Sequence, residues 1–527
     1  MIVTAVMVFA RAVCECLPSH SGLTVAARLR LLGVTYLFRE RCTPLPLSPS
    51  ALYPFSPLFV ISIILLLAGL VWGTYLCMRG SLLGGCLLLL VMTCCFGVHF
   101  FQFDAGITFS LDRLLVAGLV GAYVVQRKLG RTESKPLSNA DYLLGGLFGV
   151  LIVSMFTHDW RTVGPDDVPV LQHLINGYLI PLAIYWVARQ TTLNQRNVTW
   201  VLYVLVVFGI YLAITGILET LGVWSLVFPA YISDAGVGLH FGRARGPMVH
   251  AVSYGLYLAT SLLCLWLIKD RLSKWMWIPL MLTTPLFLAA IFFTKTRSVW
   301  LGAGCAVMLV LALTLKGRVR IGVLASVVAV AAIIGLANMD KIVTPEREGS
   351  ASDTRQSADM RAAFAYVSWQ MFQDKPIFGF GFGQFAREKL PYLGDRSVDI
   401  QLEEIRHYVH HNTFLSILTE TGLVGLFFFL AVYIAWSRNA WMLVRGENSP
   451  PWARTHGVLT LGVFAIAFWQ MVGHEITFTP IDHSLIFFVA GVTTGLWQMY
   501  FGAAAPVRSQ QAVQPVPGSG RFAARQT

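Results

Sequence analysis

Residues 410–430 read HHNTFLSILTETGLVGLFFFL. From Thr413 onward the run is apolar enough to enter a lipid bilayer, whose hydrocarbon core asks for about 20 such residues in a row. The rest of the chain agrees with that reading. Its 527 residues are 56% hydrophobic and only 13% charged, where soluble domains carry roughly 25% charged residues. Comparable runs lie at 57–77, 81–101, 111–125, 142–156, 174–188, 200–221, 247–268, 275–293, 298–315, 321–337, 413–436, 457–473 and 484–500. Backbone groups in lipid must be satisfied within the spanning element, so these runs are helices. The period-2 alternation of a membrane β-barrel does not occur. The expected fold is all-α: a polytopic membrane protein of about 12–13 transmembrane helices, with one large outer loop containing short helices.

The net charge of +12 raises nucleic acid as a partner, and its distribution argues against it. Lysine and arginine cluster in short loops between spans: Arg127, Lys128 and Arg131; Lys269, Arg271 and Lys274; Lys316, Arg318 and Arg320; Arg438, Arg445 and Arg454. This is the positive-inside pattern, and it places those loops in the cytoplasm. The loops at 102–110, 158–172, 222–246, 338–412 and 474–483 then face the other side.

The chain divides accordingly into transmembrane helices over 51–337, a large outer loop over 338–412, transmembrane helices over 413–502 and a cytoplasmic tail over 503–527. The tail is rich in Pro, Gln and Arg and reads as disordered. Residues 1–50 do not fit. With Arg11, Arg28, Arg30, Arg39 and Arg41 they oppose the charge rule. Either the span count is off by one, or the segment lies along the membrane surface, or the true start is downstream. The nine cysteines include no Cys-x-x-Cys, and none falls in the long loop. They support neither a disulfide framework nor a zinc site.

Cations stand at the outer ends of two spans. FGRARGPMVH puts Arg243 and Arg245 before one span, and FFTKTRSVWLG puts Lys295 and Arg297 in a short outer turn. Snorkelling toward headgroups is the plain explanation, but it favours the cytoplasmic side. Arginine binds phosphate oxygens bidentately and keeps its charge, so an anionic lipid headgroup such as a pyrophosphate is the natural ligand.

Within the long loop, Met360, Phe364, Val367 and Met371 recur on one helical face, a stripe expected to pack on the membrane portion. DKPIFGFGFGQF follows, with Gly379, Gly381 and Gly383. It lacks the Gly-Lys-Ser/Thr ending of a P-loop, which leaves a close-packed turn as the simpler reading. Then comes HYVHHN, where His407, His410 and His411 would share a face if helical. Glu403 and Glu404 are near, but a metal site wants a fuller ligand set, and His474-Glu475 lacks the second histidine of a metalloprotease motif. A histidine acting as catalytic base at the membrane boundary fits better.

Taken in order, four stretches resemble the bacterial O-antigen ligase and O-antigen polymerase superfamily of membrane glycosyltransferases. RARGPMVHAVSYGLYLA is similar to its Arg-x-x-Gly segment, and FFTKTRSVWLG to its Ser/Thr-Arg segment. SWQMFQDKPIFGFGFGQF resembles its Trp…Pro-x-x-Gly-x-Gly run, and HHNTFLSILTETGLVGLFFFL its His-Asn…Glu-x-Gly-x-x-Gly span. Together they cover roughly residues 200–435. Many relatives have Asn-Pro-Asn where this chain has VHAVSY around His250, and Thr296 replaces the usual Ser before Arg297. Both departures bear on sugar specificity.

The resemblance implies transfer of a glycan from undecaprenyl pyrophosphate to a hydroxyl on a glycan, lipid A–core or protein. It implies no cofactor and no metal, and a multi-pass place in the bacterial inner membrane with the active site facing the periplasm. No Asp-x-Asp occurs. On this reading His411 is the catalytic base. Arg243, Arg245, Lys295, Arg297 and Asn412 bind substrate, with Asn412 also suited to cap the helix after it. Glu420 is structural or supports the site residues from behind, because an intramembrane carboxylate more than two turns into the span lies too deep for the acceptor. A transporter or flippase for an anionic lipid-linked solute is the competing class. No repeat between the halves supports it.

Overall fold

The computed structural model describes residues 73–502, apart from positions 76, 98–101, 105–107, 133, 161–168, 338–350 and 479. Segments 1–50 and 503–527, and most of the candidate span 57–77, lie outside the described residues. In chain order the elements are α1 (Leu82–Cys95), a two-stranded antiparallel hairpin of β1 (Gln102–Asp104) and β2 (Thr108–Ser110), α2 (Leu111–Lys128), α3 (Asn139–Phe156), α4 (Val170–Gln190), α5 (Gln195–Thr220), α6 (Ala251–Leu267), α7 (Lys274–Phe293), α8 (Arg297–Thr314), α9 (Gly317–Ala337), α10 (Ala351–Asp374), α11 (Phe385–Glu388), α12 (Thr413–Arg445), α13 (Pro451–Gly473) and α14 (Pro480–Phe501). Eight of these, α3, α4, α5, α7, α8, α12, α13 and α14, are long and apolar enough to cross a membrane. The fold is all-α but for the hairpin.

The helices pack pairwise, α4 on α14, α8 on α13, α5 on α6, and α12 on both α3 and α13. Small residues let backbones approach, as lipid-embedded bundles require. A Cβ on Gly491 of α14 would lie 2.5 Å from the Tyr185 carbonyl oxygen of α4. A buried polar lock closes the end bearing the basic loops. Arg189 pairs with Asp141 at 2.8 Å, the Tyr185 hydroxyl donates to the same carboxylate at 2.7 Å, and Lys135 Nζ donates to the carbonyls of Arg189 and Thr191.

At the opposite end, which carries the long loop, two expected spans are corrected. The span expected from 247 starts as a helix only at Ala251. Glu219, at the end of α5, takes the backbone N–H groups of Arg245 and Gly246 at 2.8 Å each. The chain therefore makes a 3₁₀ turn over Gly246–Met248 before α6 begins.

The larger correction concerns the stretch 410–430. Its helix is broken at Gly422, which has φ 65° and ψ −163°. A break inside a membrane helix frees backbone groups that must find partners. The segment 376–381 supplies them. Phe380 N–H donates to Thr419 O and Gly381 N–H to Glu420 O, both at 2.9 Å, while Leu423 N–H donates to Pro376 O at 2.9 Å and Val424 N–H to Ile377 O at 3.2 Å. A Cβ on Gly422 would sit 2.3 Å from the Ile377 carbonyl oxygen, so the close approach requires glycine there. The Glu420 carboxylate seals the plug by accepting from Gly383 N–H at 2.9 Å and Phe385 N–H at 3.4 Å. The glycine run is thus a close-packed turn whose N–H groups face protein rather than a phosphate.

The long loop has a small core of its own. Phe364, Val367 and Met371 of α10 pack with Phe380, Phe385, Leu393, Leu402 and Ile405. The stripe expected to lie on the membrane helices is therefore covered largely by the loop itself, because α11 and the two 3₁₀ turns after it fold back over α10.

Candidate active site

Four segments meet at the loop end. The Asn412 side-chain amide donates to Val472 O at 2.9 Å, and the Thr413 hydroxyl donates to His474 O at 3.0 Å. These bonds join the start of α12 to the end of α13. A Cβ on Gly473 would lie 3.3 Å from Ser298 Cβ, so the first turn of α8 abuts the same place. Ala244 N–H donates to Phe293 O at 3.0 Å and ties the RARG segment to the end of α7. The structure therefore gathers the segments bearing Arg243, Lys295, Arg297 and His411 at one end of the bundle. Burial lowers the pKa of His474, and Arg361 beside it pushes the same way.

The three histidines of HYVHHN do not share a helical face. After the 3₁₀ turn Leu402–Ile405 the chain turns at Arg406 and His407 and stays non-helical up to α12. His407 is exposed, His410 buried and His411 half-buried. The His411 ring stacks on Phe364, centroids 5.0 Å apart and planes 18° apart. Its Nδ1 lies 3.1 Å from Val409 O. A carbonyl oxygen only accepts, so Nδ1 carries the hydrogen and Nε2 keeps its lone pair. Burial holds the His411 pKa below its ordinary value, and the positive charges of Arg361 and Lys389 push the same way. The ring is thus a neutral proton acceptor at physiological pH.

Arg245 and Asn412 are engaged by the protein itself. The Arg245 side chain is fully buried; Nε pairs with Glu219 at 3.3 Å, and the two terminal nitrogens donate to Val237 O at 2.8 Å and Ile232 O at 3.1 Å. Asn412 caps α12 by accepting from Leu415 N–H at 3.0 Å while its amide holds Val472. Arg297 and Lys295 are exposed and Arg243 is half-buried. Lys295, His240 and Val249 have φ of 46°, 57° and 45°, and all three lie in the segments around this end. Such strain in non-glycine residues gathers at functional sites.

Three residues of this end take roles that the sequence reading does not give them, and one of them, Lys389, is not singled out there at all. His410 Nε2 donates to the Thr419 hydroxyl at 2.9 Å, and the His410 ring packs on Phe385 at 3.5 Å. Lys389 is fully buried. Its Nζ donates to Ile405 O at 2.6 Å and also to Tyr408 O, and so holds the turn that leads to His411. Burial, then Arg406, lowers its pKa to about 8. Glu475 accepts from Thr477 N–H at 2.9 Å and from the Thr477 hydroxyl at 2.6 Å, and burial raises its pKa. In sequence these are loop charges with nothing to set them apart from solvated ones. Among the described residues, no group of three or more His, Cys, Asp or Glu side chains is placed to hold a metal ion.

Residues 282–430 match the family model described as O-antigen ligase. The match runs from within α7 to the middle of α12 and supports the resemblance to the O-antigen ligase and polymerase superfamily. The match includes Lys295, Arg297, the glycine turn and His411, and leaves Arg243 outside. No curated protein matches the chain.

Proposed function

We propose that this chain transfers a glycan from an undecaprenyl-pyrophosphate carrier to a hydroxyl acceptor, as an O-antigen ligase or polymerase. The observation that carries the reading is the fixed tautomer of His411, with Nδ1 spent on Val409, on the end of the bundle that also bears Arg297. In this mechanism Arg243 and Arg297 bind pyrophosphate oxygens, with Lys295 as a helper, while Arg245 and Asn412 hold the scaffold. The acceptor hydroxyl gives its proton to His411 Nε2, and its oxygen bonds to the anomeric carbon. The bond from that carbon to the pyrophosphate oxygen breaks with its electron pair on the pyrophosphate. One displacement inverts the anomeric centre and releases undecaprenyl pyrophosphate. The arginine charges stabilise the leaving group and do the work a metal does in other transferases.

The charge rule supports a non-cytoplasmic side for this end, which the resemblance makes the periplasmic side of a bacterial inner membrane. The break in α12 is a feature that transporters share. Here its freed backbone groups are taken by residues 376–381, which favours a built scaffold over a transport path. The test is the glycan state of a strain lacking the protein. Long chains left on the carrier lipid indicate a ligase, and loss of long chains with single repeats remaining indicates a polymerase. An unchanged glycan profile contradicts both.

A further inference from the structure

Ser253 on the first turn of α6 donates its hydroxyl hydrogen to Asp482 Oδ2 of α14 at 2.8 Å. The same hydroxyl oxygen lies 2.8 Å from His250 Nδ1. A hydroxyl has one hydrogen, and the Ser253 hydroxyl gives it to Asp482. Its oxygen therefore takes the Nδ1 hydrogen of His250. The neutral ring is left with a lone pair on Nε2, which makes no hydrogen bond with the described residues. Burial lowers the His250 pKa to about 4 and keeps it neutral.

Three features show that this arrangement is held against a cost. Val249, the residue before His250, is β-branched yet has φ 45°, a conformation that costs on the order of 1–3 kcal/mol. Gly238 lies so close beneath it that a Cβ there would meet Val249 O at 2.3 Å. Ser253 and Asp482 are 1% exposed each, and buried polar groups in a membrane bundle mark functional places. Gln470, near the end of α13, donates to Val252 O at 3.1 Å, and the same end of α13 holds Asn412 through Val472 O, so His250 belongs to the same end as the proposed base.

A neutral imidazole nitrogen offers nothing to a pyrophosphate oxygen. It needs an O–H or N–H donor, and a sugar ring supplies one. We propose that His250 is a glycan-binding residue of the site, whose Nε2 accepts a hydrogen bond from a sugar hydroxyl. Ser253 and Asp482 are positioning residues that fix its tautomer. The proposal rests on the glycosyltransferase reading and extends it to sugar recognition.

The test uses the full chain in nanodiscs, with a defined undecaprenyl-pyrophosphate-linked oligosaccharide and a sugar acceptor. His250→Leu is expected to raise KM for the donor or the acceptor about tenfold, the size of one lost hydrogen bond, with kcat and melting temperature nearly unchanged. His250→Gln, which returns an acceptor oxygen near Nε2, recovers most of the loss. Ser253→Ala moves the same KM, and Ser253→Thr does not. The proposal is overturned if His250→Leu leaves both KM values unchanged, if it lowers kcat alone, or if Gln gives no recovery. His411→Ala in the same assay separates the two readings. If that variant transfers normally, the proposed catalytic site fails. If it is inactive while His250→Leu is normal, only the role of His250 fails.

Discussion

The Nδ1 atom of His411 lies 3.1 Å from the carbonyl oxygen of Val409, two residues earlier in the chain. The bond turns Nε2 into the free base of the ring without any carboxylate partner. Burial, with Arg361 and Lys389 near, lowers the His411 pKa. A base works only when deprotonated, so transfer is expected to be flat near neutrality and to fall as pH drops through a value below about 6.5. Arg361→Gln removes a positive neighbour, raises that pKa and shifts the acidic limb to higher pH. A kcat/KM profile of both proteins checks the order of the limbs.

Arg245 and Arg297 are expected to fail in different ways. Breaking a buried ion pair by removing one partner costs about 3–5 kcal/mol, and the Arg245 and Glu219 side chains are 0% and 3% exposed. Arg245→Ala and Glu219→Ala should each lower the melting temperature in detergent. The double variant should be no worse than the sum of the two, because the partners share one interaction. Arg297→Ala should keep the melting temperature and lose transfer by about 10²–10³-fold.

The break in α12 gives a paired prediction. Gly422→Ala puts a Cβ 2.3 Å from the Ile377 carbonyl at a positive φ and should sharply reduce folded yield. Gly149→Ala in α3 meets nothing within 4 Å and should be neutral or slightly stabilising, since alanine is favoured over glycine in a helix by about 1 kcal/mol. Fluorescence-detected size exclusion of the two variants compares them directly.

Lys389→Met should lower kcat about tenfold through misplacement of His411 and leave donor KM unchanged. It also removes a positive charge near that ring, so the acidic limb should move to higher pH. A fall in kcat without that movement would assign Lys389 to the geometry of the turn alone.

The fold class was legible because runs of apolar residues have one solution in lipid. The break at Gly422 was not, since the apolar run continues through it and its partner Ile377 sits in a turn of the long loop. The candidate site divides the same way. Arg243, Arg297 and His411 stand out as charged or titratable groups at span boundaries. That Arg245 turns inward depends on Glu219, 26 residues earlier in an otherwise apolar helix. His250 and Ser253 depend on Asp482, which lies 229 residues beyond Ser253. Contacts across such separations leave no local pattern in the chain.

The most direct measurement is transfer by purified protein in nanodiscs from an undecaprenyl-pyrophosphate-linked glycan, with a chelator present, comparing wild type and His411→Ala. Wild type should transfer. His411→Ala should fold, bind donor as tightly and lose transfer by about 10²–10⁴-fold, the range of a missing general base. A folded His411→Ala protein that transfers at the wild-type rate would contradict the account.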